Sequence, residues 1–186
     1  MNKYFLGVLS IFSLLSSNVS AQNTYTPYVC VGAAYHAAKV LQAKPHYFGG
    51  RLELGTMYNP YFGTELFYEQ TASDAKKITD TQKLKTSYRT YGLDAFGYLP
   101  LGCDNRFSVL GGLGFGHYVT RQKISAHKHK NNSGYAYRFH LGAIYHLSEH
   151  IALRPMASYE TFKHISNFNH QFSYSVSLRY YFTEGK

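Results

Sequence analysis

Several things are scarce in this chain of 186 residues, and each scarcity removes a class of protein. There is no tryptophan, and only two cysteines, Cys30 and Cys103. Two thiols cannot build a disulfide framework, and none of the spacings that mark a zinc site is present. Acids number 10 against 19 Lys and Arg, for a formal charge of +9. No nucleic-acid-binding motif accompanies that charge. After residue 21 no apolar run approaches the roughly 20 residues a membrane helix requires. A membrane location is therefore open only to a closed barrel, because hydrocarbon tolerates no unpaired strand edge.

The start of the chain has the layout of a secretory leader. Met1-Asn2-Lys3 is short and basic, Tyr4 to Leu15 is apolar, and Val19-Ser20-Ala21 places small residues before Gln22. Cleavage after Ala21 is expected, giving residues 1–21 as signal peptide and 22–186 as a single domain. No Leu-x-x-Cys pattern precedes Cys30, so lipid attachment is not expected. An exported chain could pair its cysteines, but Cys30 and Cys103 fall on strands nearly opposite each other, and two free thiols are expected.

What is abundant is aromatic residues, Tyr 19 and Phe 13, together with Gly 16. They are distributed with a period of two. In GYAYRFHLGAIYH, residues 134–146, Tyr135, Tyr137, Phe139, Leu141, Ala143 and Tyr145 share one face. Ala136, Arg138, His140, Gly142, Ile144 and His146 share the other. The pattern recurs about eight times, near residues 28–37, 48–58, 62–70, 87–99, 106–120, 134–146, 151–161 and 172–182. Charge keeps to one parity each time. The connections alternate between short (59–61, 100–105, 147–150) and long, polar ones (about 38–47, 71–86, 121–133 and 162–171). A lipid-facing Arg or Lys at the midplane costs about 2–4 kcal/mol, so an apolar parity free of charge reads as a lipid-facing wall. A soluble barrel with the apolar parity inside would expose Gly112, Gly114, Gly116, Ser173, Ser175 and Ser177 to water. These small residues fit a crowded lumen better. The expected fold is all-β: an eight-stranded antiparallel transmembrane β-barrel, an up-and-down meander with short periplasmic turns and long external loops.

Residues on the other parity carry the lumenal charge: Arg51, Glu53, Glu65, Glu69, Asp94, Arg138, Arg154, Glu160 and Arg179, beside His36, His140 and His146. Four cations against five anions should form a network of pairs, since buried charges require partners. An eight-stranded interior is only wide enough for side chains, so the network is expected to plug the barrel, with at most a small pore. Outside, Lys76, Lys77, Lys83 and Lys85 occupy one long connection, and Arg121, Lys123, His127, Lys128, His129 and Lys130 another. They form candidate polyanion-binding loops for lipopolysaccharide phosphates or acidic host glycans. His127, His129, His164 and His170 could meet at the loop tips, but without cysteine or carboxylate spacing no metal and no cofactor are expected.

YLPLG at 98–102 followed by RFSVLGGLGFGHY at 106–118 resembles two strands of OmpA-like and opacity-type outer-membrane barrels. Leu153-Arg154 through Tyr159-Glu160, and Tyr58-Asn59 leading to Glu65, resemble further strands of that family. The resemblance implies a monomeric, non-enzymatic barrel in the cell outer membrane of a Gram-negative bacterium. It implies contact with outer-membrane lipid and lipopolysaccharide, and external loops that meet a host glycan or matrix protein. Glu65 and Arg154 match positions where the family places lumenal pairs. The terminal alternation to Tyr180 and Phe182 is similar to the signal read by the outer-membrane assembly machinery, although Thr183-Glu184-Gly185-Lys186 follows it. No peptidoglycan-binding domain follows the barrel, so wall tethering is not implied. His164-Ile165-Ser166-Asn167 resembles the His-x-Ser-Asn run of PagL-type lipid A deacylases, which makes His164 and Ser166 the alternative catalytic pair. Yet residues 168–182 hold no Asp or Glu to orient the imidazole.

Overall fold

The computed structural model describes residues 25–40, 46–72, 74–79, 82–102, 106–124, 128–163 and 168–182. Nine strands occur in them: β1 Thr26–Val40, β2 His46–Asn59, β3 Phe62–Thr71, β4 Asp74–Thr79, β5 Gln82–Leu101, β6 Phe107–Ile124, β7 Lys128–His146, β8 Ile151–Lys163 and β9 Phe168–Tyr181. Each strand pairs antiparallel with its neighbour in sequence, apart from β3 with β4. β1 also pairs with β9, and β3 pairs with β5 across β4. The ring is thereby closed over eight strands, and β4 is a short strip on β5 that continues above the end of β3. Closure satisfies the backbone polar groups without a strand edge, as lipid demands.

Side-chain parity follows the sequence strand by strand. The exposed large apolar residues include Val31, Leu52, Leu54, Leu66, Leu93, Leu113, Leu141, Val176 and Leu178, all on the outer face. Aromatic residues flank this aliphatic band. Tyr58, Phe62, Tyr145, Tyr180 and Phe182 lie toward the short-turn end, and Phe48, Tyr68, Tyr91, Tyr135 and Tyr174 toward the other. An apolar belt between two aromatic girdles is the outer surface of a bilayer-spanning barrel.

Local chemistry sets the short turns. Asn59 Oδ1 accepts the Tyr61 N–H at 2.8 Å, the Asx turn for which the Asn-Pro pair is suited. Gly102 has φ of 84°, a left-handed conformation that glycine adopts without cost. Ser148 Oγ accepts the N–H groups of His150 and Ile151 at 3.3 and 3.1 Å.

The long connections differ from expectation. β1 and β2 extend to Val40 and from His46, and β8 runs to Lys163. Most of 71–86 and 121–133 is paired strand: β4 ladders on β5 through Lys77↔Lys83, and β6 ladders on β7 through Lys123↔His129 and Ile124↔Lys128. The residues here are polar on both parities, so the hydrophobic alternation that marks the wall vanishes while the backbone pairing persists. β5, β6 and β7 span 20, 18 and 19 residues. At about 3.3 Å per residue they run roughly 60 Å, far beyond the height of the apolar belt. A strand ribbon therefore rises above the membrane on this side.

Candidate functional site

The lumen is where the chain concentrates its chemistry. β2 supplies Arg51 and Glu53, β3 Glu65 and Glu69, β5 Asp94, β7 Arg138, β8 Arg154 and Glu160, and β9 Arg179. They meet because successive inward positions on neighbouring strands are in register, as in Arg51↔Glu69, Glu65↔Asp94 and Arg138↔Glu160. Small residues make the room. A Cβ at Gly114 would collide with Asp94 Oδ1, and one at Gly92 with the Phe115 carbonyl oxygen.

Three of the four guanidiniums are shared among several acids, and the fourth, that of Arg179, meets one. Arg51 pairs with Glu53 and reaches Asp94 at 2.8 Å, Glu69 at 3.4 Å and Glu65 at 3.5 Å. Arg138 lies 3.0 Å from Glu160 and 3.1 Å from Asp94. Arg154 pairs with Glu53, lies 2.8 Å from Glu65, and donates Nε–H to Ser177 Oγ at 3.2 Å. Arg179 is 3.7 Å from Glu65. The Arg138 and Arg51 carbons stand 3.9 and 5.1 Å from the Phe67 ring centre, and Arg179 stands 3.9 Å from that of Tyr28. Planar, always-charged guanidinium suits this forked sharing and ring stacking better than a lysine ammonium would.

Histidine, tyrosine and glutamine side chains complete the network. His36 Nε2 lies 3.1 Å from Glu69 and His140 Nε2 lies 3.3 Å from Asp94. Glu160 accepts from Tyr88 Oη at 2.9 Å and from Gln171 Nε2 at 2.8 Å. Glu65 accepts from Tyr28 Oη at 3.2 Å. The nine charged residues are each 4% exposed or less. The network occupies the middle of the lumen, with its charged groups turned toward one another rather than toward solvent. Below it a cavity of about 720 Å³, lined by residues such as Met57, Tyr98, Ile144, His146 and Tyr181, opens at the short-turn end. Two of its lining residues, Tyr98 and Tyr181, accept from the Arg179 guanidinium through their Oη atoms, each at 3.3 Å.

Cys30, Glu53 and Glu65 each bring a potential metal-ligand atom within 4.8 Å of the others. Both carboxylates are already engaged by Arg154, however, and Arg179 Nε points at Cys30 Sγ at 3.4 Å. The arrangement is one of ion pairs. Cys30 is a buried free thiol, and Cys103 lies outside the described residues.

The structure thus draws together Arg51, Glu53, Glu65, Asp94, Arg138, Arg154, Glu160 and Arg179. Sequence reasoning missed Gln171, because that residue was assigned to a loop, and the tyrosine partners Tyr28, Tyr88 and Tyr98. Inward parity signals a tyrosine's side of the wall but not which acid its hydroxyl meets. Lys76 and Lys77 lie in β4, Lys83 and Lys85 in β5, Lys123 in β6, and Lys128 and Lys130 in β7. Their register sets Lys77 opposite Lys83 and Lys85 opposite Lys123. Their side chains, like residues 1–24 and the pair His164 and Ser166, lie outside the described residues. His127 does too, while His170 sits on the outer face of β9 beside Tyr159.

The fold has solved counterparts. Neisserial surface protein A superposes with a TM-score of 0.69 at 12% identity, over 84% of this chain and 97% of that one. A major outer-membrane protein from Thermus thermophilus gives 0.65 at 12% identity, over 86% and 100%. Ail, the attachment invasion locus protein of Yersinia pestis, in complex with the heparin analogue sucrose octasulfate, gives 0.62 at 14% identity, over 85% and 99%. At these identities the likeness is one of fold. Curated protein sequences yield no match. The model of the outer membrane protein beta-barrel domain matches residues 7–182. With its lipid-facing belt and closed ring, the chain belongs to that family and resides in the cell outer membrane.

Proposed function

We propose that this barrel is a non-enzymatic surface protein whose ion-paired lumen is a rigid plug and whose basic ribbon binds acidic glycans outside the cell. The observation that carries the reading is the register of the ribbon, with Lys77 opposite Lys83 and Lys85 opposite Lys123. Like charges directly opposite on a sheet repel. A polyanion laid along the strands removes that repulsion and draws on the summed field of Lys76, Lys77, Lys83, Lys85, Lys123, Lys128 and Lys130. The heparin analogue held by Ail, a protein of the same fold, supports a sulfated sugar as the class of ligand. In this reading residues 1–21 are a leader removed on export, and the closed ring supports a monomer. Ser166→Ala is expected to leave lipid A acylation unchanged.

The test is isothermal titration of folded full-length protein in detergent micelles with sucrose octasulfate. Binding that weakens steeply between low and high salt is expected, with no response to unsulfated sucrose. Replacing the seven lysines by glutamine should abolish it. Absence of binding at low salt, or binding that ignores the lysines, overturns the reading.

A further inference from the structure

Where β3 gives way to β4, the wall has a notch. The β3–β5 ladder ends at Gln70↔Arg89 and pairing on β5 resumes only at Asp74↔Thr86. Between them the Thr71 side chain takes the place of a strand, its Oγ1 accepting the Tyr88 N–H at 2.9 Å and donating to the Tyr88 carbonyl at 3.1 Å. Beside this interruption of the ladder is a cavity of about 90 Å³ lined by Gln70, Thr71, Ser87, Tyr88, Arg89, Val119 and Arg121.

Two features make this notch more than a packing defect. Arg89 and Arg121 are both exposed on the outer face. Arg89 stands opposite Val119 and Arg121 opposite Ser87, which makes the two arginines diagonal neighbours, roughly 7–8 Å apart. Every ion pair among the described residues involves His36, Arg51, Arg138, His140, Arg154 or Arg179, so neither rim arginine is paired with an acid whose side chain is described. Of the acids with described side chains, all but Glu149 are buried in the lumen.

Height supplies the second feature. Counted from Leu101 and Phe107, a crossing of about 9–11 residues ends near Tyr91 and His117. Those two rings lie 5.3 Å apart, and Tyr135 stands against His117 at 5.8 Å, forming part of the upper girdle. Arg89 is two residues beyond Tyr91, and Arg121 is four beyond His117. The pair therefore sits at headgroup level of the outer leaflet, beside a hollow with room for one phosphate group. Forked guanidinium groups bind phosphate oxygens in pairs.

We infer that the Arg89–Arg121 notch, with Gln70 and Ser87, is a binding site for a headgroup phosphate of the outer-leaflet glycolipid, lipid A. The site lies on the lipid-facing wall and is independent of glycan binding by the ribbon. It fixes the height of the barrel in the leaflet and gives it a bound annular lipid.

Folded full-length protein in detergent micelles is titrated with bisphosphorylated lipid A and with the same lipid stripped of both phosphates, and bound lipid is counted by native mass spectrometry. The phosphorylated lipid should bind at least tenfold more tightly than the stripped one. R89Q/R121Q should weaken it on the order of tenfold per arginine lost. R89K/R121K, which keeps charge but not the fork, should fall between. Arg106→Gln at the opposite end and the seven-lysine ribbon variant should bind as wild type. Heat-modifiable electrophoretic mobility verifies that each variant is folded. Equal binding by R89Q/R121Q and wild type, or by the stripped and phosphorylated lipids, overturns the assignment. So does displacement of the lipid by an equal concentration of inorganic phosphate, which would mark a free-anion site instead.

Discussion

The lumen and the ribbon above it both carry positive charge, on different side chains and under opposite conditions. Within the wall the four arginines are each buried and paired with at least one acid. In the ribbon the cations are largely lysines, set opposite one another in register. The dry, narrow interior rewards a planar fork that satisfies several carboxylates at once. A wetted ribbon needs only charge, which a hydrated ammonium provides. The lumen therefore reads as structure and the ribbon as a surface for a partner.

The sharpest way to break this comparison is to remove one shared acid. Glu65→Ala strips a carboxylate from Arg154, Arg51 and Arg179 and an acceptor from Tyr28. Breaking a buried pair costs about 3–5 kcal/mol, and urea unfolding in phospholipid vesicles should show that loss. Arg138→Lys keeps the charge but loses the fork between Asp94 and Glu160 and the stacking on Phe67. A loss of about 1.5–3 kcal/mol is expected in the same assay.

Glycine sharpens the contrast between the two faces of the wall. Gly92→Ala drives a methyl against backbone of β6 and should cost about 1–3 kcal/mol. Gly111→Ala, on the outer face with its nearest atom at 4.0 Å, should leave the unfolding midpoint almost unmoved. Smallest of all, Lys85→Ala in the ribbon should shift stability by no more than about 0.5 kcal/mol, while measurably weakening sucrose octasulfate binding.

What could be read from the chain divides along the same line. Inward and outward parity of all eight wall strands was legible, because lipid on one side and a packed lumen on the other impose a strict period of two. From parity alone Arg51, Asp94 and Arg138 fall inside, and the geometry adds which acid each one meets. Residues 71–86 and 121–133 read as loops in the sequence, since strands polar on both parities carry no such period. Gln171 falls at the edge of a polar stretch of the same kind. Arg89 fell on the outward parity without a partner to mark it, and the notch beside it depends on a gap between β3 and β4 that no residue pattern announces.

The proposed plug requires a lumen shut by its own ion pairs. Planar-bilayer recording on folded wild-type protein measures this directly. It should show no steady conductance above that of the bare bilayer across physiological voltages and salt. A stable, reproducible open level would mean that water and ions pass the Arg51–Asp94–Arg138 layer, and the plug would have to be abandoned.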